Sequence, residues 1–233
     1  MYGSCPIPVG SGYRPGYLSR PDEEGKFPVV FVLPALEGMT GFEKDMCRRL
    51  ARHGFAALSL DFYRAPGDPL EVYDALSDRH ALGDIDQLYD FLLSEDVMWN
   101  SGVGVGLLGT DTGGRFALIA AATRDWVRSV VAVSAPLTGD EGREHQVADY
   151  LAHLSVPVLG LYGAEDDLID VSSVDEAQRR NEHGQWLLYE GAGHGFLDID
   201  DDGYEEGAAE DAWARVLAFL DATLDDPQVV NLG

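Results

Sequence analysis

Three separated segments carry side chains that could do chemistry together. In LLGTDTGGRFAL (107–118) an apolar run meets a glycine-rich turn and then a helical pattern, with Asp111 at the turn. In GAEDDLID (163–170) Asp166, Asp167 and Asp170 offer carboxylates, and in GAGHGF (191–196) His194 stands between Gly193 and Gly195. A strand, a sharp turn and a helix hold the apex side chain out toward a substrate, and that residue is usually Ser or Cys, activated by a histidine and a further acid. Here the apex is Asp111. Gly109 and Gly113 permit the tight turn, and the helix behind it aims free N–H groups and the positive end of its dipole at the apex, a setting that suits a carboxylate. Asp111 could also simply cap that helix. His194, in its glycine-flanked loop, is poorly explained by packing, whereas His53, His80, His145, His153 and His183 lie in helix-like or polar stretches and are expected at the surface.

These segments need elements to hold them. Short apolar runs at 16–21, 29–33, 56–60, 103–108, 129–133, 156–162 and 186–190 read as strands, several apolar on both faces as buried parallel strands are. Helical patterns lie between them, which predicts an α/β fold with a mostly parallel central sheet and helices on both faces. Thr40 with Glu43 three residues on reads as a capping box for a helix ending near His53 and Gly54. Ile85, Leu88, Tyr89 and Leu92 share one helical face, and Trp213, Val216, Leu217 and Leu220 another. The candidate residues fall in loops after strands, where open parallel sheets gather their active groups.

At 233 residues, with no linker-like stretch, the chain is expected to form one domain spanning 1–233. Its formal charge of −25 comes from 41 acidic and 16 basic residues, and Lys26 and Lys44 are its only lysines. Salt adaptation and GC-rich codon usage would each leave that pattern. Such a field repels nucleic acid and anionic membranes, which leaves a small molecule as the expected partner. The N-terminus lacks a basic segment followed by an apolar run, no stretch reaches membrane-spanning length, and only Cys5 and Cys47 are present, so the expectation is a cytoplasmic protein without disulfides.

The order of elbow residue, acid and histidine is that of an α/β-hydrolase triad, and the chain resembles the dienelactone hydrolase family of that fold. The resemblance runs from GYLSRP through LARHGFAALSLDFYRAPGDP, GVGLLGTDTGG and LYGAEDD to YEGAGHGFLDIDDDGY. It implies an α/β-hydrolase fold without a cap domain, with Asp111 at the nucleophile, Asp166 at the acid and His194 at the base. Leu36 and Thr112 fall where backbone N–H groups form the oxyanion hole. Two positions depart from the family pattern. Asp198 stands where the family has an arginine for a substrate carboxylate, and Ala35 where it often has a glutamate facing the nucleophilic thiol. An anionic lactone is therefore an unexpected substrate.

Asp111 changes the chemistry. Acyl transfer from an ester to a carboxylate would need an alkoxide to leave in preference to a carboxylate weaker in basicity by on the order of ten pKa units. Attack on a saturated carbon avoids that barrier, and the resulting alkyl ester can be hydrolysed by water activated at His194. This is similar to haloalkane dehalogenase, haloacetate dehalogenase and epoxide hydrolase chemistry on the same fold. The haloacetate branch has a DRGGR elbow, and DTGGR here keeps all but one residue, so Arg115 is the candidate to bind a substrate carboxylate, unless it pairs with Asp111 or faces solvent. The 55 or so positions between Asp111 and Asp166 leave no room for the cap those enzymes carry. Proton transfer through His194, or a catalytically altered or inactive relative, are the alternatives. Asp198, Asp200 and Asp202 before Gly203 imitate half of a calcium loop, but the stretch fits an ordinary acidic surface loop. No metal or cofactor is expected, and Arg64 and Pro66 are placed by the pattern in a surface loop near the site mouth.

Overall fold

A computed structural model describes residues 1–63, 67–139 and 142–224; Arg64 and Pro66 lie outside the described residues. Ten strands and seven helices follow one another among the described residues: β1 (Tyr2–Ser4), β2 (Ile7–Val9), β3 (Gly12–Arg14), β4 (Gly16–Ser19), β5 (Phe27–Leu33), α1 (Gly41–Arg52), β6 (Ala56–Leu60), α2 (Pro69–Ala75), α3 (Asp78–Leu92), β7 (Asn100–Thr110), α4 (Asp111–Thr123), β8 (Val127–Val133), α5 (Val147–Tyr150), β9 (Val158–Gly163), α6 (Val171–Arg180), β10 (Gln185–Tyr189) and α7 (Glu206–Leu224). Each apolar run read as a strand lies wholly or largely within one. Three short N-terminal strands go beyond that reading.

Eight strands form one sheet in the order β1-β4-β6-β5-β7-β8-β9-β10. Pairing is parallel from β6 to β10, with β4 antiparallel to β6 and β1 antiparallel to β4. Alternation along β5 sends Val29, Phe31 and Leu33 to one face and Val30 and Val32 to the other, and all five are fully buried. Ile85, Leu88 and Leu92 of α3, the apolar run of α4, and Val174 and Ala177 of α6 cover the first face. Met46, Cys47 and Leu50 of α1 and Trp213, Val216 and Leu220 of α7 cover the second. The sheet is thus sandwiched between helices, and between Asp111 and Asp166 the described residues hold α4, β8, α5, a single 3-10 turn (Leu151–His153) and β9 with their connections, with no cap among them.

The chain leaves β5 for β6 on one side and returns to β7 on the other. That reversal opens a crevice at the carboxyl ends of β5 and β7, where ligands bind in open α/β sheets. The α1 start beside it is fixed by the capping box: Phe42 N–H donates to Thr40 Oγ1 at 3.1 Å, and Thr40 N–H donates to Glu43 Oε2 at 2.7 Å.

On the first face α4 is pinned to α3 by an ion cluster. The fully buried Arg115 guanidinium donates to both carboxylate oxygens of Asp78 at 2.9 Å and to the His145 carbonyl, while Arg143 reaches Asp78 Oδ1 at 2.8 Å. Burial alone would raise the Asp78 carboxyl pKa, but the two arginines and the His145 N–H hold it below its ordinary value. Asp78 therefore stabilises the fold above an ordinary Asp pKa of about 3.9 and loses that contribution as pH falls through its lower folded value. Arg115→Ala would leave a buried carboxylate short of its bidentate partner; we expect a loss of about 3–5 kcal/mol of stability, read as a lower urea midpoint at neutral pH.

Candidate functional site

The turn from β7 into α4 carries Asp111 at a φ of 46°, a left-handed conformation that Asp tolerates better than most residues. It closes because two glycines let backbones touch. A Cβ on Gly109 would collide with the Gly113 carbonyl, and one on Gly113 would collide with the carbonyls of Leu33 and Pro34 at the end of β5. Asp111 is the first residue of α4, and the N-cap is Thr110. Its side chain is held elsewhere than at an N-cap: Leu36 N–H, from the loop after β5, donates to Asp111 Oδ2 at 3.3 Å, and the adjacent Thr112 N–H favours the charged form of the same carboxyl. Of the two backbone donors expected to form an oxyanion hole, Leu36 N–H bonds one oxygen of Asp111, and Thr112 N–H is near enough to favour the charged carboxyl.

The other oxygen faces the histidine. Asp111 Oδ1 lies 3.7 Å from His194 Nε2, and the opposite ring nitrogen, Nδ1, lies 2.9 Å from Asp166 Oδ2. Asp166 is fixed by its own loop after β9, where Leu168 and Ile169 N–H groups donate to Oδ1 at 2.8 and 3.0 Å, and its side chain is fully buried. Neighbouring Asp167 is exposed, and Asp170 caps α6 by accepting from Ser172 N–H. Of the three aspartates in that loop, Asp166 is therefore the one that meets His194.

The electrostatics follow from this packing. Burial raises the Asp111 carboxyl above its ordinary value, against the lowering by the Thr112 and Leu36 N–H groups and His194. Burial would lower the His194 imidazole, but the Asp166 hydrogen bond and charge, with Asp111 and Asp201 beyond it, raise it above 6.5. Asp166 is likewise penalised by burial and yet lowered, because His194 and two backbone N–H groups bind its charged form. The two carboxylates favour the protonated imidazole, so His194 keeps its proton to higher pH than an ordinary histidine.

A cavity of about 480 Å³ opens over Asp111, Thr112 and His194. Phe42, Leu70, Leu168 and Leu197 give it apolar walls, while Glu37, Asp198, Asp200 and Asp201 bring carboxylates; no Arg or Lys lines it among the described residues. Thr110 and Ser134 form part of the wall beside the elbow. Among the described residues, no group of three His, Cys, Asp or Glu side chains is arranged to hold a metal ion. No helix among them is long and apolar enough to cross a membrane.

Arg115 requires a correction. Read from sequence as a substrate-binding residue, it instead points into the first face of the sheet, fully buried on Asp78, and neither lines the cavity nor faces solvent. Asp111, at its left-handed φ, is out of helical register with Arg115, whose guanidinium is taken by Asp78 of α3 in the core. Two residues that the sequence reading left without a role join the site: Tyr63, whose hydroxyl is 2.8 Å from Thr112 Oγ1, and Ser134, whose hydroxyl donates to the His194 carbonyl at 2.9 Å. Both follow the carboxyl end of a strand, and that position was the available signal. Of the remaining histidines, His53, His80, His153 and His183 are exposed, whereas His145 is half-buried beneath Arg115.

Comparison with known proteins agrees with this architecture. The model of the dienelactone hydrolase family matches residues 15–224. A protein of Escherichia coli provisionally named carboxymethylenebutenolidase is 30% identical over 240 residues, spanning 94% of this chain and 86% of its own length. A Bradyrhizobium protein provisionally named 2-oxo-3-(5-oxofuran-2-ylidene)propanoate lactonase is 30% identical over 226 residues, spanning 89% and 88%. The crystal structure of a provisionally assigned dienelactone hydrolase from Klebsiella pneumoniae superposes with a TM-score of 0.85 at 28% identity, over 94% of this chain and 97% of that one. With the sheet order, the elbow and the acid and histidine loops all in place, this chain belongs to the dienelactone hydrolase family of α/β-hydrolases.

Proposed function

We propose that the chain hydrolyses a small, uncharged or cationic substrate by displacement at a saturated carbon, with Asp111 as nucleophile, His194 as base, Asp166 orienting His194, and the Leu36 and Thr112 N–H groups as oxyanion hole. The observation that carries this reading is the division of labour within one carboxylate that lines the cavity: Oδ2 accepts from Leu36 N–H while Oδ1 lies 3.7 Å from His194 Nε2. An open cavity over that oxygen, with Arg115 engaged elsewhere, favours an enzyme over an inactive relative.

In the first step Asp111 Oδ1 forms a bond to the carbon as the leaving group departs with the bonding pair. A halide, an epoxide oxygen, or the carboxylate of a lactone whose ring oxygen sits on a saturated carbon would serve. Esterification removes the charge of Asp111, one of the contributions that raise the His194 pKa, so the imidazole becomes a freer base when water must be activated. Water then adds to Asp111 Cγ while its proton passes to His194 Nε2. Negative charge develops on Oδ2, to which Leu36 N–H already donates, with Thr112 N–H as the second donor of the proposed oxyanion hole. Collapse expels the alkoxide, which takes the proton from His194; the second water proton, left on the Asp111 carboxyl, then passes to the neutral His194 imidazole and the carboxylate is restored.

Charge at the cavity selects among substrates. Glu37, Asp198, Asp200 and Asp201 repel anions, and the apolar walls favour a hydrocarbon body. A haloacetamide should accordingly exceed the haloacetate of the same size in kcat/KM by about tenfold, and the ratio should shrink as salt screens the carboxylates. Equal rates at low salt would contradict the assignment.

Trapping the ester tests the nucleophile. Intact-protein mass is measured after exposure of His194→Ala to halides, epoxides and lactones; a gain that maps to Asp111 is expected, and Asp111→Asn should show none. The wild type should accumulate the same adduct at pH values where Asp111 is ionised and His194 still protonated. It should clear the adduct as pH rises through the raised His194 pKa, because only the neutral imidazole accepts the proton of water. Turnover of a panel compound with no adduct at either pH would contradict the mechanism.

A further inference from the structure

Asp111 and Ser134 are the two non-glycine residues with positive φ among the described residues, and both line the same cavity. The strain at Asp111 belongs to the elbow. Ser134, at a φ of 47°, stands at the carboxyl end of β8 in the strand beside the elbow, where a left-handed serine is uncommon and must be offset by its surroundings. Its surroundings point to one purpose. Ser134 N–H stays on the sheet, donating to the Leu161 carbonyl at 2.9 Å, while its buried hydroxyl leaves the strand to donate to the His194 carbonyl at 2.9 Å.

His194 lies in a loop outside the helices and strands, so its ring orientation depends on what holds that loop. Asp166 holds the ring through Nδ1, and Ser134 holds the backbone of the same residue from the neighbouring strand. The contact that has to survive is longer, 3.7 Å from Nε2 to Asp111 Oδ1, and a small swing of the loop would lengthen it or break the Asp166 bond.

We infer that Ser134 is a positioning residue whose hydroxyl, delivered by a left-handed backbone, anchors the His194 carbonyl so that the imidazole meets Asp166 and Asp111 together. This role rests on the reading of His194 as the base. It separates from a purely structural role because glycine accepts the left-handed conformation without strain, whereas alanine keeps the strain and both lack the hydroxyl.

The test compares Ser134→Gly and Ser134→Ala with the wild type by NMR titration of the His194 ring, with melting temperature measured alongside. Both variants should titrate lower than the wild type by on the order of half a pH unit, with the low-field Nδ1 proton signal weakened. The glycine variant should do so while melting at or above the wild-type temperature. Wild-type titration in both variants, or a shift confined to the alanine variant, would overturn the inference. Asp166→Asn serves as the reference and should lower the His194 pKa further. If it left His194 unchanged, the Asp166–His194 pairing would itself be wrong, a failure distinct from that of Ser134 alone and one that removes the ground for it.

Discussion

A carboxylate held by a backbone N–H on one oxygen and facing an imidazole with the other sets the terms for this molecule. The Leu36 N–H comes from the loop after β5 and the Thr112 N–H from the first turn after β7, so the grip on Asp111 exists only because those strands are neighbours and the chain reverses direction between them. The glycines at 109 and 113 are what that grip requires of the sequence, since any side chain there would push the loop ends apart. Burial disfavours the Asp111 charge, and the donors and His194 offset part of that cost. The resulting carboxylate is poised, with one lone pair committed to stabilising charge and another available for attack.

Around it the fold separates two kinds of buried charge. On the helix face the Asp78–Arg115–Arg143 cluster is fully occupied and ties α3, α4 and the segment before α5 together. In the crevice, Asp111, Asp166 and His194 are also hydrogen-bonded, yet two of the three open onto a cavity. The same residue types thus serve rigidity in one place and chemistry in another, and what divides them is access to solvent and substrate.

Much of this was legible in the sequence for identifiable reasons. Strands buried on both faces read as continuous apolar runs, and a capping box is a local signal that the structure repeats atom for atom at Thr40 and Glu43. Asp111 and His194 stood out because glycines surrounded polar residues directly after such runs. Arg115 was not legible, because its partner Asp78 is 37 positions away and only the packing of α3 on α4 brings them together. Ser134 was not legible either: a positive φ leaves no mark in composition unless the residue is glycine. The strands β1 to β3 are three residues each, too short for a periodic pattern to emerge.

The central claim is that the carboxylate of Asp111 becomes an ester and is hydrolysed at its own carbonyl carbon. The most direct measurement is a single turnover in ¹⁸O-water, with enzyme in excess over a panel compound that is turned over, followed by mass analysis of the peptide containing Asp111. The account predicts ¹⁸O in the Asp111 carboxylate and unlabelled oxygen in the first product formed. Label found only in the product, with Asp111 unlabelled, would mean that water attacks the substrate directly and would contradict it.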